Sequence, residues 1–351
     1  MQTVVGKNML LPFEEHATSP IDLRKIENPG IQSIAPSMVP FRLNKILVPI
    51  GFSAASEKVL PYAVALAQQF GSTIELLSVA PCYSFIPSFR FLRISRSTEQ
   101  CLDQAAKVLI QLARSEVPPG TRGGTTIRVG EPAREITAAA RELGADLIVM
   151  TIHGRARHKH RLRAGVAERV VRAQPCLVLS VPEELLQKGQ RQPVPACRNV
   201  LVPVDLTEFS RMTLNWASNL AGRMGAKVTL RYAPAMLAKK RSPRTMHQNR
   251  RQIPVPKAIE LQLAEWGNSG ASAPVEVDLL PEMATPNAAT LAQMVGRAAS
   301  DLMLIGSRRC SWWQRLAHQG VAERLLRLVP CPVLSVPERV VTTLATADEP
   351  N

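Results

Sequence analysis

The sequence predicts an α/β protein built from two doubly wound parallel sheets in tandem. Three observations predict it: blocks of the first half recur in the same order in the second half, each half alternates strand-like with helix-like stretches, and the strand runs are apolar on both faces. Strands of that last kind belong to parallel sheets covered by helices on both sides. At 351 residues the chain also exceeds one comfortable core and suits two.

The repeat is read directly. VAERVVRAQPCLVLSVPE at 166–183 returns as VAERLLRLVPCPVLSVPE at 321–338, displaced by 155 residues. KILVPIGFS at 45–53 matches NVLVPVDLT at 199–207, and ADLIVMT at 145–151 matches SDLMLIG at 300–306. A unit of about 140 residues is too large for a solenoid repeat and suits a duplicated globular domain. The expected domains are 43–183 and 198–338, joined by a linker at 184–197. Residues 1–42, rich in scattered Pro, Ser and Asn, read as an extension that is flexible or draped over a domain, and 339–351 as a frayed tail.

Within the first half, ILVPI at 46–50 is an apolar strand run. After Ser53, the residues Val59, Tyr62, Ala63, Leu66, Ala67 and Phe70 fall at helical spacing and give one buried face. The second half repeats that face as Trp216, Ala217, Leu220, Ala221 and Met224, with Thr207 as N-cap where Ser53 stands. Next come a strand at 72–79, a helix at 101–116, a strand at 125–129 and a helix opened by Glu131-Pro132. Strand DLIVMT, a basic loop, helix VAERVVRA and strand CLVLSV complete five strands per half. Inserts at 83–97 and near 235–253 read as surface loops.

Composition bounds the function. With 46% hydrophobic and 20% charged residues, wholesale disorder, collagen and coiled coil are excluded. No apolar run approaches the roughly 18 residues of a membrane span, and the N-terminus lacks a secretory pattern, so the expected address is cytoplasmic. Six cysteines, at 82, 101, 176, 197, 310 and 331, form no C-x-x-C pair and read as reduced thiols. The net charge of +15 points to anionic partners; 155–163 (RARHKHRLR) and 239–251 (KKRSPRTMHQNRR) hold many of the cations and no acid.

The opening strand, the run G-A-D-L-I-V-M and G-V-A-E-R followed by P-C-x-V-L-S-V-P together resemble the universal stress protein family, from Asn44 to Glu338. The resemblance implies a Rossmann-like five-stranded sheet of order 3-2-1-4-5 in each half. It also implies pairing through the last strand, which would join 176–181 to 331–336 as an intrachain pseudo-dimer, open to further homo-oligomerisation.

Many members of that family bind ATP through an acidic residue after the first strand and a loop G-x2-G-x9-G-[ST] after the fourth. Glycines there let backbone approach phosphate, and helix N-terminal amides face the anion. In the first half Gly51 replaces the acid, and Thr151, Gly154, Ala164 and Gly165 occupy the loop positions. In the second half Asp205 keeps the acid and Gly306 the first glycine, followed by Ser307, while Arg309, Gln319 and Gly320 hold the remaining places. Losing the acid removes a charge-assisted hydrogen bond worth about 1.5–3 kcal/mol. The implied clefts are therefore degenerate, and the second domain is the better candidate for ATP, through Asp205, Gly306, Ser307 and Gly320. Gly154 and Gly165 are the first domain's candidates.

Alternatives stay beside this reading. Asp205 either meets a ligand or caps the helix that follows, and Arg309 either crowds the site or meets a phosphate. Trp312 and Trp313 cover a ligand, plug the cleft or anchor a partner. The loop Arg155, Arg157, Lys159, Arg161 and Arg163 either meets a phosphate-rich ligand or is a solvated surface, and it repels the metal that His153, His158 and His160 would otherwise suggest. Phe85, Phe89 and Phe91, interleaved with Arg90 and Arg93, would stack on nucleic-acid bases or pack their insert onto the sheet. No Walker A loop, nucleophile elbow or repeated Ser, His and Asp set is present, so a non-enzymatic protein is expected. It acts by binding adenine nucleotide, as a nucleotide-free scaffold for an unknown protein partner, or on nucleic acid or another polyanion.

Overall fold

The computed structural model describes residues 42–51, 54–80, 98–152, 165–186, 197–204, 206–232, 257–268, 272–278, 300–307, 326 and 328–341. In the first half these form β1 (Lys45–Pro49), α1 (Ala54–Glu57), α2 (Leu60–Phe70), β2 (Thr73–Ala80), α3 (Thr98–Glu116), β3 (Arg122–Val129) and α4 (Pro132–Glu142). β4 (Leu147–Ile152), α5 (Val166–Ala173), β5 (Leu177–Pro182) and the short α6 (Glu183–Leu186) complete it. The second half shows β6 (Asn199–Val204), α7 (Glu208–Met224), β7 (Lys227–Tyr232), α8 (Lys257–Asn268), β8 (Val275–Asp278), β9 (Leu302–Ser307) and β10 (Val333–Pro337). The extension, the linker core, both inserts and the last ten residues lie outside the described residues.

All ten strands join one sheet of order β3-β2-β1-β4-β5-β10-β9-β6-β7-β8. Each half thus has the expected 3-2-1-4-5 order with parallel neighbours, such as β1 with β2 and β4, and β6 with β7 and β9. The halves meet where β5 and β10 pair antiparallel, Leu179 opposite Leu334 and Ser180 opposite Val333. Two core layers sandwich the sheet. One, on the α2 and α7 side, holds Leu179 and Val181 of β5 with Leu334 and Val336 of β10. The other, on the α4 and α5 side, holds Val178 with Val333. Both layers therefore run unbroken through the seam, as alternating side chains on a pleated strand dictate.

Three local features depart from the sequence expectation or lie beyond it. The helix expected after Ser53 is two pieces, because Pro61 near the start of α2 has no N–H to give and its ring would meet the carbonyl four residues back. β3 starts three residues earlier than expected, with a register shift opposite Ile74 and Leu76 where Glu75 accepts the Gly124 N–H at 2.7 Å. Asp146, ahead of β4, accepts the N–H groups of Asn44 and Lys45 at 2.7 and 3.0 Å. Asp301 repeats this ahead of β9, accepting from Arg198 and Asn199 at 2.9 and 3.0 Å. The duplication has thus copied a carboxylate clamp that fixes the first strand of each half to its fourth. Among the described residues no helix is long and apolar enough to cross a membrane.

Candidate functional site

In an open parallel sheet, ligands sit outside the carboxyl ends of the strands, where the chain's winding reverses. Here that reversal lies between β1 and β4, and again between β6 and β9.

In the first half a cleft of about 360 Å³ opens at this place. Pro49, Ile50 and Gly51 bring β1 to it, Met150 and Thr151 bring β4, and the first turn of α5 closes one side. Gly165 is the N-cap of α5, in extended conformation, and donates its N–H to the carboxylate of Glu168. Glu168 is 4% exposed and lines the cleft. α5 is braced to α4 by an ion pair of Arg169 with Glu131 at 2.7 Å. Glu131 in turn caps α4, accepting from Ala133 and Arg134 at 3.2 and 3.0 Å.

The described walls of this cleft are mostly apolar, Gly51 offers no side chain to it, and the Glu168 carboxylate takes the Gly165 N–H at the start of α5. Glu168 went unnoticed as a site residue in the sequence, where VAER marked only the repeat. Its signal was present all the same, since a Glu three residues after an N-cap is half of a capping box.

In the second half Gly306 lies buried in β9, and Ser307 ends that strand opposite Pro337. The α7 side chains Phe209 and Thr213 lean against Gly306. A Cβ at Gly306 would lie 2.8 Å from the Phe209 ring and closer still to the Thr213 hydroxyl. The aligned positions of the first half show the reverse choice of sizes, Thr151 on the strand and Ala55 on the helix. Gly306 is thus required by the packing of α7, whatever else it does. Ahead of α7, Thr207 is the N-cap, its hydroxyl accepting the Ser210 N–H at 3.2 Å, and Leu206 is held at φ +61°. Left-handed backbone at a leucine costs about 1–3 kcal/mol and persists only where its surroundings enforce it.

Asp205, Gly320, Gly154, Arg309, Gln319, Trp312, Trp313, the basic stretches and the three loop histidines lie outside the described residues. The structure brings Gly51, Thr151 and Gly165 together in the first cleft. Burial pushes the thiols of Cys176, Cys331 and Cys197 up to about 12, so all three are neutral at physiological pH and poor nucleophiles.

The model of the universal stress protein family matches this chain twice, over residues 42–182 and 196–337. The chain belongs to the universal stress protein family. Each match spans one of the two halves, which makes this a tandem member. A universal stress protein of Methanocaldococcus jannaschii is 29% identical over 140 residues, 39% of this chain and 81% of that protein. Universal stress protein YxiE of Bacillus subtilis is 29% identical over 146 residues, 39% of this chain and 98% of its own length. Among solved structures, a universal stress protein from Archaeoglobus fulgidus superposes with a TM-score of 0.61 at 18% identity, covering 84% of this chain and 97% of the other. At that identity the likeness speaks for the fold.

Proposed function

We propose that this tandem universal stress protein is a non-enzymatic cytoplasmic binding protein, a pseudo-dimer whose second domain holds an adenine nucleotide, ATP foremost. Asp205 would meet the adenosine portion, and the backbone of Gly306, Ser307 and Gly320 the phosphates. The observation that carries this reading is that Thr207 caps α7, its hydroxyl accepting the Ser210 N–H. The capping role weighed for Asp205 is thus filled by Thr207, and in sequence the acid directly follows β6, the strand beside which the sheet's winding reverses. The strained Leu206 beside it supports the same view.

Calorimetric titration of ATP into the full-length protein tests this. Binding is expected, and Asp205→Ala should weaken it at least tenfold, the equivalent of about 1.5–3 kcal/mol for a lost charge-assisted hydrogen bond. No heat at millimolar ATP sinks the reading. A nucleotide-free role as an interaction scaffold is then favoured, on the observation that Phe209 and Thr213 already pack against Gly306. In the first domain, the Glu168 carboxylate on the Gly165 N–H supports a cleft that does not take triphosphate.

A further inference from the structure

A second cavity is lined by the opening residues of β4, β5 and β9 rather than by their carboxyl ends. It measures about 150 Å³ and sits between α2 and α7, above the β5–β10 seam. Its lining is built from equivalent residues of the two halves: Leu66 with Leu220, Leu179 with Leu334, and Leu147 with Leu302. It therefore straddles the axis that relates the two copies.

The two halves differ in size at several of these positions. At three mirrored lining positions the second half carries the smaller group: Cys197 where the first has Leu43, Met224 for Phe70, and Pro332 for Leu177. Smaller groups at those positions leave apolar walls short of contacts, which a bound apolar molecule would supply. The space is half open, with Gln69 exposed at its mouth, and is of a size to accept a benzene-sized molecule.

The chemistry of the lining narrows the occupant. Among the described residues Asp301 is the sole charged group there, and its Oδ2 already accepts two backbone N–H groups at 2.9 and 3.0 Å. With no described cation to pair it, an anion such as a fatty acid is disfavoured. Tyr62 and Phe70 offer ring edges and faces, and the sulfurs of Met224 and Cys197 suit an aromatic partner. Gln69, exposed at the mouth, provides both a donor and an acceptor.

We propose that this seam cavity is a binding site for a small neutral aromatic molecule of one or two fused rings, held between α2 and α7 across the two halves. Because the ligand bridges both copies, it binds the folded chain alone and raises its melting temperature. The site is independent of Asp205.

Indole is the probe. Titrated into the full-length protein by calorimetry, it should bind once per chain with a Kd on the order of 0.1–1 mM, as suits about nine heavy atoms. It should also raise the melting temperature. Ala65→Phe and Leu66→Phe each fill the cavity from α2, where both residues are only half-buried, and each should weaken indole at least tenfold with melting retained. Asp205→Ala should leave indole binding unchanged. Absence of binding at about 5 mM indole, the result expected if a segment of the chain itself fills the space, overturns the proposal. Undiminished binding by both filled variants overturns it too.

Discussion

Gly306 shows how packing alone can fix a glycine at a position proposed for binding. The family's loop asks for glycine so that backbone can approach phosphate, while here α7 asks for it so that Phe209 and Thr213 can close on β9. The second demand has a measurable size. Gly306→Ala forces a methyl into occupied space and should cost about 1–3 kcal/mol in chemical denaturation. The cost should shrink in a Phe209→Leu background, giving a favourable coupling between the two sites. Gly51→Ala is the matched control, because a Cβ there meets nothing nearer than the Ser56 hydroxyl at 4.0 Å. That change should stay within about 0.5 kcal/mol. If Gly306→Ala proved equally silent, the packing account of this glycine would be wrong.

Elements were legible in the sequence wherever their signal was local. The double-apolar runs became β1, β4, β5, β6, β9 and β10, and Glu131-Pro132 and Thr207 opened the helices they were expected to open. Signals that depend on a partner distant in sequence were not legible. Arg122 closes the carboxyl end of α3, its guanidinium donating to the carbonyls of Ala113, Arg114 and Val117, which nothing at position 122 announces. The clamps of Asp146 and Asp301 reach residues a hundred positions away. The packing at Gly306 became readable only by setting the two halves side by side, through opposite sizes at mirrored positions. The end of α5 carries an expectation of its own. α2 and α7 stop on glycines in left-handed conformation, Gly71 and Gly225, but α5 stops on Gln174 at φ +48°. Removing the Cβ relieves that strain, so Gln174→Gly should raise stability by about 0.5–1 kcal/mol, seen as a higher denaturant midpoint at unchanged slope. A lower midpoint would mean that the Gln174 side chain holds the turn more strongly than the backbone resists it.

At the scale of the molecule, the question is whether two copies of a domain behave as two bodies or one. Separate cores joined by a linker would melt independently, but here neither core layer stops at the boundary. Val333 is fully buried opposite Ser180, Leu179 faces Leu334, and β5 is buried along its whole length, so neither half presents a finished edge by itself. Losing the seam would expose apolar surface on both sides and leave the β5 and β10 backbones unpaired. The coupling should therefore outweigh the modest difference in stability that two diverged copies carry. Scanning calorimetry of the full-length protein should then show a single transition, with calorimetric and van't Hoff enthalpies in agreement. Val333→Asp buries an unpaired carboxylate at the join and should split that transition in two, since it weakens the seam more than the β1–β4 core of one half or the β6–β9 core of the other. Two transitions in the unaltered protein would show that the halves melt as separate bodies despite the shared sheet. The cavity above the seam would then sit on a boundary that opens before either half unfolds.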